Sequence, residues 1–305
     1  MTFLVVGESI ADLIGSPEDW RFTAVPGGSP LNVAVTLAGL GQPTRYVSET
    51  GEDMFGALLR DHLTRHGVRT DELRNTQATN LAIARIGGDG SATYDFRFGW
   101  RLAGSVPLSG VTCLHTGSLA TLVGQGAEEV RRLMRSAVTA GVPVSYDPNI
   151  RPALLGPRSN ALPLVEECTR LARLVKVSAD DLGWLYPGEP DLDAARRWSR
   201  LPGERLVVVT RGGDGAIAIS GDHVITCAAP AVQVADTVGA GDTFAAAFLA
   251  VAGAALTSPA LAPKQIAHAL RRAIAAAAVV CTRRGAAPPT PAEIDAMLPH
   301  VPEAA

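Results

Sequence analysis

Between Leu114 and Thr210 short apolar runs alternate with longer segments of helical period, and this alternation restricts the fold more than any other feature. The runs Leu114–Thr116, Pro143–Tyr146, Leu174–Val177 and Leu206–Thr210 are short and mostly apolar, as strands buried on both faces are. Helices such as Gly126–Ala140 separate them. The order implies an α/β fold, a mainly parallel sheet with helices on both faces. Thr2–Gly7 reads as a further buried strand, and after Thr210 the pattern becomes a meander, Ala216–Ser220 and His223–Cys227. The last third reads as alanine-rich helix: Ala240–Ala255, Pro263–Cys281 and Pro291–Leu298. Nearer the N-terminus, Ser29 suits an N-cap and Pro30 a first helical position, so a helix is expected from Pro30 to Leu40, stopped by Gly41. A second helix should follow Asp53 and end at Gly67. Ala78–Phe98 differs: Leu81, Ile83, Arg85 and then Tyr94, Phe96, Phe98 alternate with period two around Gly87-Gly88-Asp89-Gly90. That pattern predicts a hairpin with its aromatics on one face.

Composition removes several classes of function. A chain of 305 residues, 47% hydrophobic and 19% charged, buries a sizeable core and is not a disordered one. A net charge of −3 supplies no global attraction to nucleic acid or acidic lipid. Cys113, Cys168, Cys227 and Cys281 lie too far apart for a disulfide framework or a CxxC zinc site. The first apolar run, Phe3–Val6, stops at Gly7-Glu8, so no signal peptide is expected. Phe244–Leu256 falls short of the roughly 20 residues that span a bilayer. The expectation is a soluble cytoplasmic protein without nucleic-acid or membrane partners. With only two lysines, Lys176 and Lys264, the chain has no Gly-Lys-Ser/Thr phosphate loop, and GxGxxG, GxSxG and HExxH are absent too. His62 and His66 have a metal-capable spacing but no third ligand near them in sequence, and read as a helix surface.

The strongest local signal is Ala235-Asp236-Thr237-Val238-Gly239-Ala240-Gly241-Asp242-Thr243-Phe244. Small residues at a helix start let backbone N–H groups approach an anion, and the helix dipole adds partial positive charge there. Asp242 fits two roles at such a place. It caps the helix, or it accepts a proton from a hydroxyl that attacks a phosphate held by the same backbone.

Gly239-Ala240-Gly241-Asp242 before an alanine-rich helix resembles the C-terminal signature of ribokinase-like (PfkB-type) carbohydrate kinases. Gly27-Gly28-Ser29-Pro30-Leu31-Asn32 is similar to that family's N-terminal signature. Between and after them, in family order, stand Asp147-Pro148-Asn149-Ile150-Arg151, Lys176-Val177-Ser178-Ala179-Asp180-Asp181, Thr210-Arg211-Gly212-Gly213-Asp214-Gly215 and Thr282-Arg283-Arg284-Gly285-Ala286. The resemblance covers nearly the whole chain. It implies one domain, 1–305, built as a three-layer α/β/α sandwich with a small β lid over roughly 11–25 and 78–103. Such lids cover the sugar and often pair with a second copy.

The resemblance also assigns roles. Asp242 is the implied base, and the N–H groups of Gly239, Ala240 and Gly241 the implied anion hole. Asp12, Gly28 and Asn32 are the implied sugar ligands, joined by Asn149, Arg151 and, from the lid, Phe96 with Arg97 or Arg101. Lys176, Ser178, Thr210, Gly212, Gly213 and Gly215 fall to the nucleotide. Asp181 stands for the family's glutamate and reaches Mg²⁺ through water, while Ser178 keeps a hydroxyl for a phosphate or water contact. Oxygens of Asp236, Val238, Val280, Arg283 and Gly285 would ring a potassium ion, but Pro289 replaces a serine that often closes that ring. Weak potassium dependence is therefore expected. The implied reaction is transfer of the γ-phosphate of ATP to a sugar hydroxyl. Asp147-Pro148-Asn149-Ile150-Arg151-Pro152 and the aromatic lid resemble bacterial fructokinases most, so fructose is the expected substrate. The alternatives are ribose and 2-keto-3-deoxygluconate, whose carboxylate would want Arg97 or Arg101. A catalytically silent sugar- or nucleotide-binding protein would have lost Asp242 or the Gly-Ala-Gly run, and both are present.

Overall fold

The computed structural model describes residues 2–15, 20–86, 92–102, 104–258 and 261–305, with the backbone alone at 86 and 92–94. In chain order the first half comprises β1 (Thr2–Val6), β2 (Ile10–Gly15), β3 (Phe22–Gly27), α1 (Ser29–Gly39), β4 (Thr44–Gly51) and α2 (Met54–Arg65). Then come β5 (Leu73–Thr76), β6 (Asn80–Ile86), β7 (Ala92–Arg97), β8 (Val111–Gly117), α3 (Leu119–Leu122), α4 (Gly126–Thr139) and β9 (Val144–Asp147). The second half adds α5 (Pro152–Leu155), α6 (Arg158–Leu171), β10 (Leu174–Ser178), α7 (Ala179–Leu185), α8 (Asp191–Ser199), β11 (Leu206–Thr210), β12 (Ala216–Ser220) and β13 (His223–Cys227). It closes with α9 (Ala240–Ala252), α10 (Pro263–Cys281) and α11 (Pro291–Met297).

One nine-stranded sheet runs β13-β12-β11-β10-β9-β8-β1-β4-β5. From β11 to β5 every neighbouring pair is parallel, and β12 and β13 extend it as an antiparallel meander. The period of two along β1 shows how the layers form. Phe3 and Val5 enter a core with α1, α9 and α10, while Leu4 and Val6 enter a second core with α4, α6 and α8. Helix α9 and its 3₁₀ extension, Ala240–Thr257, have a mean hydropathy of 1.5, and 61% of that window is buried inside the fold. Packed against α1 and α10, it is the central core helix of its layer.

A second sheet of four strands, ordered β3-β2-β6-β7, stands apart from the first. β6 and β7 pair antiparallel as the alternation predicts, and the turn expected at 87–90 lies outside the described residues. The chain passes between the two sheets at Ser9, Thr79 and Gly99. Asn80 joins two of these crossings, donating to the Ser9 carbonyl (3.2 Å) and accepting from the Gly99 N–H (2.8 Å). Asp53, the N-cap of α2, accepts from the Thr79 N–H and hydroxyl and fixes the third. On this small sheet Asp12 pairs with Ala82, which pairs with Phe96, so these three share one face. Arg97 pairs with Leu81 on the opposite face.

Two local expectations change. Ser29 is the first residue of α1, not its cap; Gly28, at φ 103°, takes the cap position. At that dihedral a side chain is strained, and a Cβ would also lie 2.7 Å from the Glu8 carbonyl. Helix α9 tightens to a 3₁₀ turn at Gly253 and does not run on to Ala255. His62 and His66 do share a face of α2, and His66 Nδ1 is within 2.8 Å of the His62 carbonyl.

Candidate active site

The carboxyl ends of β1, β8, β9, β10 and β11 lie side by side, which in open parallel sheets is where ligands bind. Two helix starts converge on this edge. Gly239 caps α9 in the left-handed conformation (φ 76°), where a Cβ would meet the Ala286 Cβ at 2.4 Å. Asp242, in the first turn of α9, is 8% exposed. Asn32 Nδ2 donates to its Oδ2 (2.8 Å) and the Ser29 hydroxyl to its Oδ1 (2.6 Å), both from α1. Both oxygens of this buried carboxylate are therefore held by side chains of one helix.

Of the three N–H groups expected to form an anion hole, those of Gly239, Ala240 and Gly241, the structure engages the Ala240 one elsewhere, and Asp242 offers a further one. The Ala240 N–H already donates to the Thr237 carbonyl (3.2 Å), closing the turn before α9. The Gly241 and Asp242 N–H groups, in the first turn, are the ones helix geometry turns toward a ligand. Beneath them lies Lys176, 6% exposed, whose ammonium would be 3.0 Å from a Cβ on Gly241. Its Nζ donates to Asp147 Oδ2 (2.9 Å), and Asp147 Oδ1 in turn accepts from the Asn149 N–H. Burial works against the charge of Lys176, but Asp147, with Asp181 and Asp242 farther off, outweighs it and holds the pKa above its ordinary value. The ammonium therefore stays charged next to the glycine turn. Asn149 itself adopts φ 40°, an uncommon conformation that turns the Asn149–Arg151 segment across the end of β9.

Asp12 lies against Gly27, where a Cβ would be 2.1 Å from its Oδ2. Burial, offset in part by Arg151 and reinforced by Asp242, raises the Asp12 pKa to about 6. Arg151 is exposed and donates to the carbonyls of Asn149 and Ile150, within electrostatic reach of Asp12. Glu8, a residue the sequence did not bring forward, is 1% exposed and accepts from the Ala120 N–H (2.9 Å). Burial pushes it up to about 7, against the pull of its hydrogen bonds and of Arg151. Its only signal was position, a carboxylate directly after the first buried strand. His115, under the site on β8, bonds Ser145 Oγ (3.0 Å) and is pushed by burial down to about 4, hence neutral.

Arg97 departs from its expected place, and Ser178, Arg101 and Val280 already hold contacts of their own. The Ser178 hydroxyl accepts from the Asp181 N–H (3.0 Å) as the N-cap of α7 and keeps its own proton to donate. Arg97 is not on the face of Asp12 and Phe96, and pairs with Asp95 on the far side. Arg101 gives its N–H to Glu49 (3.1 Å) and lines, with Arg97 and Asn80, a cavity of about 510 Å³. The Val280 carbonyl, one of the expected cation ligands, already accepts from the Arg283 N–H (3.1 Å). By contrast, Asp236 does join the two loops expected around that ion, accepting from the Val238 and Gly285 N–H groups (3.0 and 2.9 Å). Thr210, at the end of β11, pairs in register with Ser178, and Gly212–Asp214 form a single 3₁₀ turn beyond it.

Comparison with known proteins agrees with this layout. The profile of the pfkB family carbohydrate kinases matches residues 2–293. A fructokinase of Rhizobium leguminosarum bv. trifolii is 31% identical over 262 residues, covering 81% of this chain and 78% of its own. The crystal structure of a fructokinase from Xylella fastidiosa with bound ATP superposes with a TM-score of 0.86 at 28% identity, covering 98% of both chains. A fructokinase double mutant from Vibrio cholerae O395, bound to fructose, ADP and potassium, gives 0.82 at 26% identity, covering 97% of this chain and 98% of its own.

Proposed function

The chain belongs to the pfkB family of carbohydrate kinases, and we propose that it phosphorylates fructose with ATP, using Asp242 as the base. The observation that carries the reading is the meeting of Asp242, the glycine turn and the Lys176 ammonium at one sheet edge. The acceptor hydroxyl gives its proton to the Asp242 carboxylate as its oxygen attacks the γ-phosphorus and the bond to ADP breaks. Charge on the phosphoryl oxygens falls between the Gly241 and Asp242 N–H groups and the Lys176 ammonium, a preorganised setting that needs no rearrangement. The four-stranded sheet would close over the sugar with Phe96 on the inner face, excluding water as a competing acceptor. Pairing of that sheet with a second copy belongs to the same proposal. An ADP-release assay over a panel of sugars tests the substrate.

The donors present suit Mg²⁺ only at a distance. Asp181 already accepts from the Ile150 N–H (3.1 Å) and faces its own helix start, so it would hold the ion through water, with phosphate oxygens as the direct ligands. When bound, the ion neutralises phosphate charge. For potassium, the Asp236 bridge brings the two loops together, but the Val280 carbonyl already accepts from the Arg283 N–H and Pro289 is a buried residue without a side-chain oxygen. Replacing sodium by potassium at constant ionic strength should therefore change turnover less than about threefold. Each lost ligand weakens the hold on an ion that needs many oxygens. A many-fold, potassium-specific activation would show that the remaining oxygens suffice.

Asp12 gives this reading a pH dependence. As an ionised carboxylate it accepts from sugar hydroxyls; protonated, it loses that capacity. With a raised pKa near 6, it loses charge as pH falls through that value. KM for fructose should rise roughly tenfold between pH 7 and pH 5, since about one carboxylate in eleven stays ionised a unit below its pKa. Asp12→Asn should raise KM throughout and flatten that dependence. A wild-type KM independent of pH across this range would remove Asp12 from the sugar site.

A further inference from the structure

We propose that Ser29 is a positioning residue for the phosphoryl transfer, fixing the plane in which the Asp242 carboxylate meets the acceptor hydroxyl. The inference rests on the kinase reading above and adds a residue to it. At the first position of α1 a serine has no capping duty, because Gly28 holds the cap and the first helical bond runs from the Asn32 N–H to the Gly28 carbonyl (3.0 Å). Its hydroxyl instead points across to α9 and donates to Asp242 Oδ1 over 2.6 Å, the length of a charge-assisted bond. Ser29 and Asp242 are 9% and 8% exposed, so water does not compete freely for that donor. Asn32 donates to Oδ2 from one turn later on the same helix.

Two donors on one rigid helix define a plane, and a carboxylate held at both oxygens cannot rotate about its last bond. One donor does not define it. Without Ser29 the carboxylate would be free to pivot about the Asn32 contact, within the electrostatic pull of the Lys176 ammonium. Each oxygen keeps a second lone pair, and fixing the plane fixes the direction from which the carboxylate can take the acceptor's proton. Ser29 does not receive the transferred proton; that proton ends on Asp242.

The test compares purified wild type with Ser29→Ala, Ser29→Cys and Ser29→Thr, measuring kcat and KM for fructose and ATP from pH 5.5 to 9. Removing one hydrogen bond to a charged group should lower kcat roughly 10–100-fold, with both KM values within about threefold. The acid limb of the kcat profile should move to higher pH, because the charged form of the base has lost a donor. Cysteine, of similar volume but a weak donor, should behave like alanine, and threonine should recover turnover to within a few-fold. A Ser29→Cys or Ser29→Ala enzyme with wild-type kcat and an unmoved acid limb overturns the assignment of Ser29 alone. A wild type with no turnover on any sugar overturns the kinase reading, and this inference with it.

Discussion

Asp242→Asn should lower kcat by roughly 10²–10⁴ while leaving KM for sugar and ATP within a few-fold, the loss expected when general-base help is removed. The amide keeps the size of the carboxylate and an oxygen for one of the two donors on α1, but it cannot take a proton at neutral pH. It also sets an NH₂ group against either the Ser29 hydroxyl or the Asn32 amide, which now donate to the carboxylate. A modest loss of stability should accompany the loss of rate. Circular dichroism and steady-state kinetics on the same preparation separate the two effects. A folded variant that turns over at near wild-type rate would leave Asp242 as a structural carboxylate that ties α9 to α1.

Lys176→Met should be the second large effect, and it should appear in both rate and stability. Asp147 is 1% exposed, and among the described residues its Oδ2 is paired with the Lys176 ammonium. Leaving such a carboxylate without its partner costs on the order of 3–5 kcal/mol. Turnover should fall by roughly 10²–10³, the scale for losing one preorganised group at the developing charge. The double variant Lys176→Met with Asp147→Asn separates the contributions. Asparagine can keep the contact to the Asn149 N–H while removing the stranded charge, so stability should largely return and turnover should not. Recovery of both would make the ion pair structural only, and a single variant with turnover within about threefold would exclude Lys176 from the reaction.

Elements with an apolar run or a regular apolar period were legible in the sequence. Strands Leu206–Thr210, Ala216–Ser220 and His223–Cys227 and helix Pro263–Cys281 match the expectation end to end. Thr44–Gly51 was not legible, although Tyr46–Gly51 are buried, because its core face carries polar groups. Ser48 and Tyr46 bond Ser9, and the Tyr46 hydroxyl donates to the Glu8 carbonyl. Burial of that kind is satisfied by distant partners and leaves no apolar period. Asp12 and Pro26 break the apolar period of Ile10–Gly15 and Phe22–Gly27, so only the family resemblance placed 11–25 in a small sheet, where β2 pairs with β6 some 70 residues on.

The candidate site divides in the same way. Glycine around Asp242, and the double glycine before Asn32, announce tight backbone turns within a few residues, so both segments stood out. Ser29 and Asp242, by contrast, are 213 residues apart, and Lys176 and Asp147 are 29 apart on neighbouring strands of the sheet. Those pairings exist only in the fold. Ser29 was readable as a cap because serine at a helix start usually is one. Arg97 and Phe96 show the converse error, since adjacent strand residues point to opposite faces and only one of them reaches Asp12.

The most direct test of the account is a coupled ADP-release assay on the purified chain with ATP and Mg²⁺, run with fructose, ribose, tagatose, 2-keto-3-deoxygluconate and nucleosides. The account predicts sugar-dependent ADP release with the highest kcat/KM on fructose, and its loss in Asp242→Asn. Highest kcat/KM on 2-keto-3-deoxygluconate or a nucleoside would contradict the substrate while keeping the chemistry, and sugar-dependent release undiminished in Asp242→Asn would contradict the chemistry itself.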